Sequence, residues 1–410
     1  MSAVAPPLRR ILEPRFVLAV LALWTVLRAF SAVVLVQLAH DWQDPSIYDD
    51  PATPRYFQFA TLWDGAWYER IATRGYPEEL PVDDGGQVRQ NPWAFYPIFP
   101  LLARGLTTIT GWPFAVTGTV VATLLGYAAA VVVAGLLRER VGAGVALGAV
   151  ALLGAYPASP TMQVAYTESL ALLLLAVVLW LLVRRRWLAA GLVALLTGLA
   201  RPIALPLGLV ALVAAVVRWR GRGQDPVTVG EYVRMASALV GCGLAGLVWP
   251  TVAWVRTGVP DAYTVTMSAW RRGEEVTPFL PTIERVQWLF GPFLGLLLLA
   301  AGLGLLVLAV LGPWARGLGT ELRTWCLAYV LYLFAALDPW TSIYRYLMLL
   351  FPLFVLMVGG GWARGDRPGG EQPRWLLVVR TVVLGLVLLA WQVWWAWELF
   401  MFVPPQDDPP

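Results

Sequence analysis

The acidic residue with the clearest chemical setting is Asp64, which lies between two tryptophans in the stretch TLWDGAWYERIATRGYP. Trp63 and Trp67 are large and apolar, so they would keep water away from the carboxylate. Desolvation makes a carboxylate more basic, which suits a general base. The sequence therefore predicts a catalytic role for Asp64. The alternative is a solvated carboxylate on the polar face of a surface helix.

Two arginines lie in or beside apolar segments, where a charged side chain needs a counter-charge. Arg201 lies in TGLARPIALPLG, between two short apolar runs, and Arg345 lies in LDPWTSIYRYLMLLFP. The planar guanidinium group donates in a fork that suits phosphate oxygens. We predict that both arginines bind a phosphate. The alternatives are a structural salt bridge from Arg201 to Glu168, and snorkelling of Arg345 to lipid headgroups.

Two further carboxylates and a set of aromatic residues are candidates for substrate contacts. Glu168 opens an apolar segment, and carboxylates in or near a membrane often mark sites. The alternative is that Thr167 caps this helix and Glu168 only favours its first turn. Asp338 and Arg345 flank a short outer turn, and Arg345 would lie one helical turn into the following span. The aromatic candidates are Trp63, Trp67, Tyr68, Trp93, Tyr96 and Tyr166. For the aromatic run NPWAFYPIFPLL the alternative is an interfacial belt.

The residue types argue against a metal centre or a cofactor site. The chain has 2 cysteines, Cys242 and Cys326, which lie apart in apolar segments, and 1 histidine, His40. This is too few for a zinc site or a serine–histidine–aspartate system. We predict neither metal nor cofactor. The run Asp83 to Gly86 (DDGG) is interpreted as a solvated turn, with a divalent-cation site as the alternative.

The elements that must position these residues are membrane helices. The chain of 410 residues is 59% hydrophobic and 14% charged, whereas soluble domains carry about 25% charged residues. Apolar runs long enough to cross a bilayer recur along its length. We predict an all-α polytopic membrane protein, a single domain over 1–410, with about eleven spans. The predicted spans are 16–38, 114–137, 143–160, 166–183, 187–200, 202–218, 234–256, 291–312, 322–337, 342–360 and 376–400.

Arginine distribution sets the predicted orientation. The clusters are Arg9, Arg10 and Arg15; Arg138 and Arg140; Arg184–Arg186; Arg218, Arg220 and Arg222; Arg316 and Arg323; Arg364, Arg367 and Arg374. With these spans all of them fall on one side, which the positive-inside rule makes cytoplasmic. The chain is then a multi-pass plasma-membrane protein with a cytoplasmic N-terminus and a retained first span, since that run is too long for a signal-peptide core.

The candidate residues fall on or near the opposite, extracytoplasmic side. Loop 39–113 would carry Asp64 on an amphipathic interfacial helix from about Tyr56 to Thr73. The segment Phe95 to Thr110, interrupted by prolines, is interpreted as a re-entrant or interfacial helix. A second outer loop covers 257–290. A base and two phosphate-seeking arginines on one face suggest group transfer from a lipid phosphate.

Several motifs resemble the PIG-V family of mannosyltransferases, which includes bacterial and actinobacterial members. They are WD-x-x-x-Y-x-x-I-A-x-x-G-Y (Trp63 to Tyr76), AFYPIFPLL, YTESLALLLL, TGLARPIALPLG, and an S-x-x-R-Y-x-x-x-x-x-P element around Arg345. Order and spacing match over about residues 16–220. Beyond residue 220 the chain resembles the family only as a hydrophobic chain with several spans and in the S-x-x-R-Y-x-x-x-x-x-P element. The Trp63–Asp64 motif lacks a second, adjacent acidic residue.

The resemblance implies a GT-C glycosyltransferase fold and a polyprenyl-phosphate-mannose donor. It also implies an acidic base in the first outer loop, and Asp64 matches that position. The acceptor would be a hydroxyl of a glycolipid, a lipoglycan or a protein. Other expected partners are membrane lipids, and no nucleic acid is expected. The rival function is a flippase or transporter for lipid-linked sugars, although the sequence shows no internal repeat of the kind common in transporters.

Overall fold

The computed structural model describes residues 11–271, 277–337 and 340–403. Within these ranges the regular structure is helical, with one isolated bridge between Val82 and Val88. The helices are α1 Pro14–Gln37, α2 Arg55–Phe59, α3 Asp64–Arg74, α4 Ile98–Thr110, α5 Phe114–Val141, α6 Ala143–Ala155, α7 Glu168–Val183, α8 Trp187–Thr197, α9 Leu205–Arg220, α10 Val229–Thr257, α11 Ala262–Trp270, α12 Leu280–Phe290, α13 Pro292–Leu311, α14 Gly319–Ala336, α15 Ile343–Leu347, α16 Pro352–Met357 and α17 Arg374–Trp395.

Five helices in the described part of the chain are long and apolar enough to cross a membrane. They are α1 with its π-helical extension to Trp42, α5, α10, α13, and α17 with its π-helical extension to Phe400. The chain is therefore a helical membrane protein, as composition predicted. Other predicted spans coincide with shorter helices, including α6, α7, α8 and α9.

Two sequence predictions about continuous helices are wrong. The expected span 342–360 is broken into α15 and α16 around Leu349 and Leu350, because Pro352 starts a new helix. The expected helix from Tyr56 to Thr73 is broken into α2 and α3, because Trp63 has φ 58° and cannot continue a right-handed helix. The break places Asp64 at the first position of α3. The proline-interrupted segment forms the 13-residue helix α4, which is short for a full span.

Close backbone contact between α8 and α10 brings the site-bearing half of the bundle together. The two helices meet at Gly191 and Gly241, where a Cβ added to Gly241 would lie 2.7 Å from the Gly191 Cα. Small residues at such crossings allow membrane helices to approach closely. Because α8 leads directly into the Arg201 segment, this crossing fixes the position of that arginine.

We expect Gly241→Ala to destabilise the fold by about 1–3 kcal/mol, since the added methyl group would push two backbones apart. The measurement is the apparent melting temperature in detergent. Gly243→Ala is the matched control on the same helix, because nothing lies within 4 Å of a Cβ there. Equal melting temperatures for the two variants would contradict the packing argument.

Candidate active site

Four charged side chains from separate parts of the chain meet in one buried cluster. The Arg345 Nη1 group lies 2.5 Å from Asp64 Oδ2 and 3.1 Å from Glu168 Oε1. The Arg201 Nη1 group lies 2.5 Å from the same Glu168 oxygen. One carboxylate oxygen of Glu168 therefore serves both guanidinium groups. We call Asp64, Glu168, Arg201 and Arg345 the charge cluster.

Exposure differs within the charge cluster. The side chains of Glu168, Arg345 and Arg201 are 1%, 5% and 7% exposed, whereas that of Asp64 is 24% exposed. Asp64 is thus the most accessible member of the charge cluster, and both arginines are buried. A buried ion pair is tolerated only when its remaining donors and acceptors are satisfied, so the other hydrogen bonds of the cluster matter.

Two buried polar atoms of the charge cluster have no hydrogen-bond partner among the described residues. They are the Nε donor of Arg345 and the Oε2 acceptor of Glu168. Such orphaned groups are rare in folded proteins and costly. A ligand that offers both acceptor oxygens and hydroxyl donors would satisfy both atoms.

Aromatic rings hold both guanidinium groups in place. The Cζ atom of Arg345 lies 5.3 Å from the ring centroid of Tyr166, and that of Arg201 lies 4.8 Å from the ring of Tyr346. The Arg345 Nη2 group also donates to the Ser342 hydroxyl at 3.0 Å. The roles of Ser342 and Tyr346 were not predicted individually, although both belong to the S-x-x-R-Y element.

A strained backbone presents Asp64. Trp63 has a positive φ, which costs a bulky residue about 1–3 kcal/mol unless its surroundings enforce it. Here the indole N–H donates to the Phe400 carbonyl at 2.9 Å, and the ring packs against Phe402. The predicted substrate contact of Trp63 remains a prediction, because the described contacts of this ring are with the C-terminal segment.

Backbone contacts place Glu168 beside the Asp64 segment. The Ala165 N–H donates to the Ala60 carbonyl at 2.9 Å, and the Tyr166 hydroxyl donates to the Leu62 carbonyl at 3.2 Å. The Thr167 hydroxyl does not cap α7; it donates to the Ala200 carbonyl at 3.2 Å. The proposed Thr167 cap is therefore wrong. This threonine instead ties the start of α7 to the residue before Arg201.

The predicted aromatic residues separate into two groups. Trp67 stacks on Phe95, and Tyr68 packs edge-on against the same ring. Burial, followed by the negative charges of Asp64 and Glu168, raises the pKa of Tyr68 well above its usual value. Tyr68 therefore stays neutral next to the charge cluster.

Trp93 and Tyr96 belong to a different packed cluster around Trp249. The Trp93 indole donates to the Pro77 carbonyl at 3.0 Å, and the Tyr96 and Tyr263 hydroxyls are 3.0 Å apart. Both aromatic residues are buried, so their proposed sugar or prenyl contacts remain predictions.

The remaining predicted positions do not enter the charge cluster. Asp338 lies outside the described residues. The Asp83 carboxylate accepts hydrogen bonds from the backbone N–H groups of Gly85 and Gln87 at 2.9 Å, which makes the expected turn. In the described ranges no group of three or more His, Cys, Asp or Glu side chains is arranged to hold a metal.

A cavity of about 520 Å³ lies next to the charge cluster. Its lining includes Pro202 and Tyr346, which adjoin Arg201 and Arg345 in the chain, and the aromatic residues Tyr263 and Tyr332. Its apolar and aromatic walls suit a hydrocarbon chain more than a solvated sugar.

Family models and curated proteins were both compared with this chain, and neither comparison gave a match.

We expect Glu168→Gln to destabilise the protein by about 3–5 kcal/mol, because it removes the carboxylate that pairs with Arg201 and leaves Arg345 with Asp64 alone. Thermal unfolding in detergent measures the effect. Glu78→Gln is the control: Glu78 lies 3.6 Å from Arg256, and both side chains are more than half exposed. Exposed pairs contribute little. Matching melting curves for both variants would show that Glu168 is not needed to neutralise the arginines.

Proposed function

We propose that this protein is an inverting mannosyltransferase that uses a polyprenyl-phosphate-mannose donor. The observation that carries the proposal is the charge cluster. It combines a carboxylate that is about one quarter exposed, two buried arginines, one orphaned donor and one orphaned acceptor. A sugar phosphate offers acceptor oxygens to the arginines and hydroxyl donors to Glu168. The family resemblance supplies mannose as the sugar and the polyprenyl carrier.

The donor phosphate would compete with Asp64 for Arg345. Two carboxylates and two guanidinium groups balance in the cluster and both arginines are buried, so we expect an added phosphate to take the place of a carboxylate on an arginine. Asp64 is the more exposed of the two carboxylates. Its displacement from Arg345 would free Oδ2 to accept a proton, so donor binding would itself activate the base.

The transfer would proceed in one displacement. The acceptor hydroxyl gives its proton to Asp64 while its oxygen bonds to C1 of mannose from the face opposite the phosphate. The bond between C1 and the phosphate oxygen breaks, and the electron pair leaves with the phosphate. Arg201 and Arg345 stabilise that developing charge, and fixed charges in a dry site are often the largest catalytic contribution. Configuration at C1 is inverted.

The finer architecture belongs to the same proposal. A GT-C fold with about eleven spans would need shorter helices such as α7 and α9 to cross the bilayer together with the five long ones. Arginine clusters at the other ends of these helices support an extracytoplasmic charge cluster in the plasma membrane. The cavity beside Arg201 would accept the prenyl chain. The acceptor hydroxyl belongs to a glycolipid, a lipoglycan or a protein.

The second candidate function is a flippase for the same lipid-linked sugar. The phosphate-binding arginines would serve it equally well, but a flippase has no use for a carboxylate released by its substrate. The charge cluster also lies at one end of α7, whereas secondary transporters bind near the bilayer midplane.

We expect Asp64→Asn to reduce mannose transfer about 10²–10⁴-fold, the range for loss of a general base, while donor binding is retained. The measurement follows radiolabel from polyprenyl-phosphate-mannose into a membrane acceptor extract. Asp84→Asn, in the same loop at an exposed turn, is the control and should transfer normally.

Three results would decide against parts of this proposal. Equal transfer by wild type and Asp64→Asn would remove Asp64 as the base. Failure of the wild type to transfer any lipid-linked sugar would remove the enzyme. In that case, movement of the intact donor across proteoliposome membranes would favour the flippase.

A further inference from the structure

A second cavity of about 520 Å³ lies at the end of the bundle opposite the charge cluster. Its walls come from the last residues of α7 and α9, the first residues of α8 and α14, and Arg140 near the end of α5. Helix α7 starts at Glu168 and has 16 residues, so the two sites are separated by about 24 Å of helix. We call this the arginine cavity.

Three arginines from separate elements line the arginine cavity, and each is held by a carboxylate. Arg140 lies 2.7 Å from Glu321, and Arg185 lies 3.0 Å from Asp225. Arg218 donates to both carboxylate oxygens of Glu231, at 2.7 and 2.8 Å. These pairs fix the guanidinium groups before any ligand arrives. Preorganised donors lose little entropy when they bind.

Two local features show that Arg140 is closely packed in the lining of the arginine cavity. The Nε donor of Arg140 is buried and has no hydrogen-bond partner among the described residues. Gly319 has φ 76°, and a Cβ there would lie 2.8 Å from the Arg140 Cζ. The guanidinium group of Arg140 therefore packs against Gly319, where a larger residue would not fit.

The net charge at this end is positive. The three lining arginines are balanced by Asp225, Glu231 and Glu321. Beside them the exposed Arg186, Arg220 and Arg222 form no ion pair with any acidic residue in the described ranges. Helices α8 and α14 begin here while α7 and α9 end here, so their dipoles oppose one another. The three arginines that form no such ion pair therefore make the net charge at this end positive.

We propose that the arginine cavity binds a phosphate-bearing anion. Planar guanidinium donors fixed around a concave site match phosphate oxygens, and the volume lies within the range of small-ligand sites. Basic pockets between membrane helices commonly hold anionic lipid headgroups. The phosphate could thus be carried by an anionic phospholipid or be free in solution. The inference is independent of the mannosyltransferase proposal, because no residue of the charge cluster takes part.

The test is binding of phosphatidylglycerol to the purified full chain, measured by native mass spectrometry, with phosphatidylcholine as the neutral lipid. Inorganic pyrophosphate, followed by thermal shift, tests the soluble source. We expect one phosphatidylglycerol to bind in preference to phosphatidylcholine. Arg185→Gln should weaken this binding about tenfold, the effect of losing one charged hydrogen bond.

Arg316→Gln is a closely matched control. Arg316 lies 3.2 Å from Asp366 with side-chain exposures of 59% and 41%, close to the 48% and 46% of the Arg185–Asp225 pair. It does not line the arginine cavity, so this variant should bind like the wild type. Arg185→Lys, which keeps a positive charge beside Asp225, is a second variant should Arg185→Gln melt early, and it should also weaken binding because the planar donor fork is lost.

The outcomes separate cleanly. Pyrophosphate binding that depends on Arg185, without selective lipid binding, would support the site with a soluble phosphate as its ligand. Equal weakening by Arg185→Gln and Arg316→Gln would show a general surface effect and overturn the proposal. Binding of both probes that is unchanged in Arg185→Gln and Arg185→Lys would also overturn it, as would the absence of binding by either probe.

Discussion

Two guanidinium groups share one buried oxygen of Glu168, and the arrangement of the site depends on that sharing. Moving an ion out of water costs several kcal/mol even after the protein relaxes. Neither Arg201 nor Arg345 could therefore be buried to this extent without a counter-charge. Glu168 makes both positions possible. Because α7, the Arg201 segment and α15 each contribute one of these charges, three distant parts of the chain must meet for any of them to be stable.

A second buried polar network supports the segment that carries Glu168. Arg28 of α1 donates to the carbonyl groups of Gly154 and Ser159, and Gln392 of α17 donates to the Tyr156 carbonyl at 3.0 Å. These bonds satisfy backbone groups left open where α6 ends, as an apolar environment demands. The segment from Tyr156 to Thr167, which contains a 3₁₀-helix over Ser159–Gln163, is thereby fixed, and α7 can start with the carboxylate that pairs with the arginines.

The sequence was sufficient to select the charged members of the site, because charges in apolar surroundings are rare and expensive. Asp64, Glu168, Arg201 and Arg345 were all predicted, and the Arg201–Glu168 pair was among the alternatives. What could not be predicted was the broken helix before Asp64. The break depends on the hydrogen bond from the Trp63 indole to the Phe400 carbonyl. No local sequence pattern around either residue indicates that contact. Aromatic residues were the least predictable, since the same types serve packing, as Trp93 does, and binding.

Hydrogen bonds that join the α1 and Trp63 regions to α17 and the residues after it have a consequence for how the molecule is made. Ser31 bonds Gln392 at 2.7 Å, Gln43 bonds the Phe402 carbonyl at 2.8 Å, and Trp63 bonds the Phe400 carbonyl. The contacts of the α1 and Trp63 regions with the segment around Phe400 can therefore form only after α17 has been synthesised. Until α17 is translated and inserted, nothing holds Trp63 in its strained conformation. The carboxylate of Asp64 can take up its final position only after α17 is inserted, so a nascent chain released before α17 would lack an assembled charge cluster.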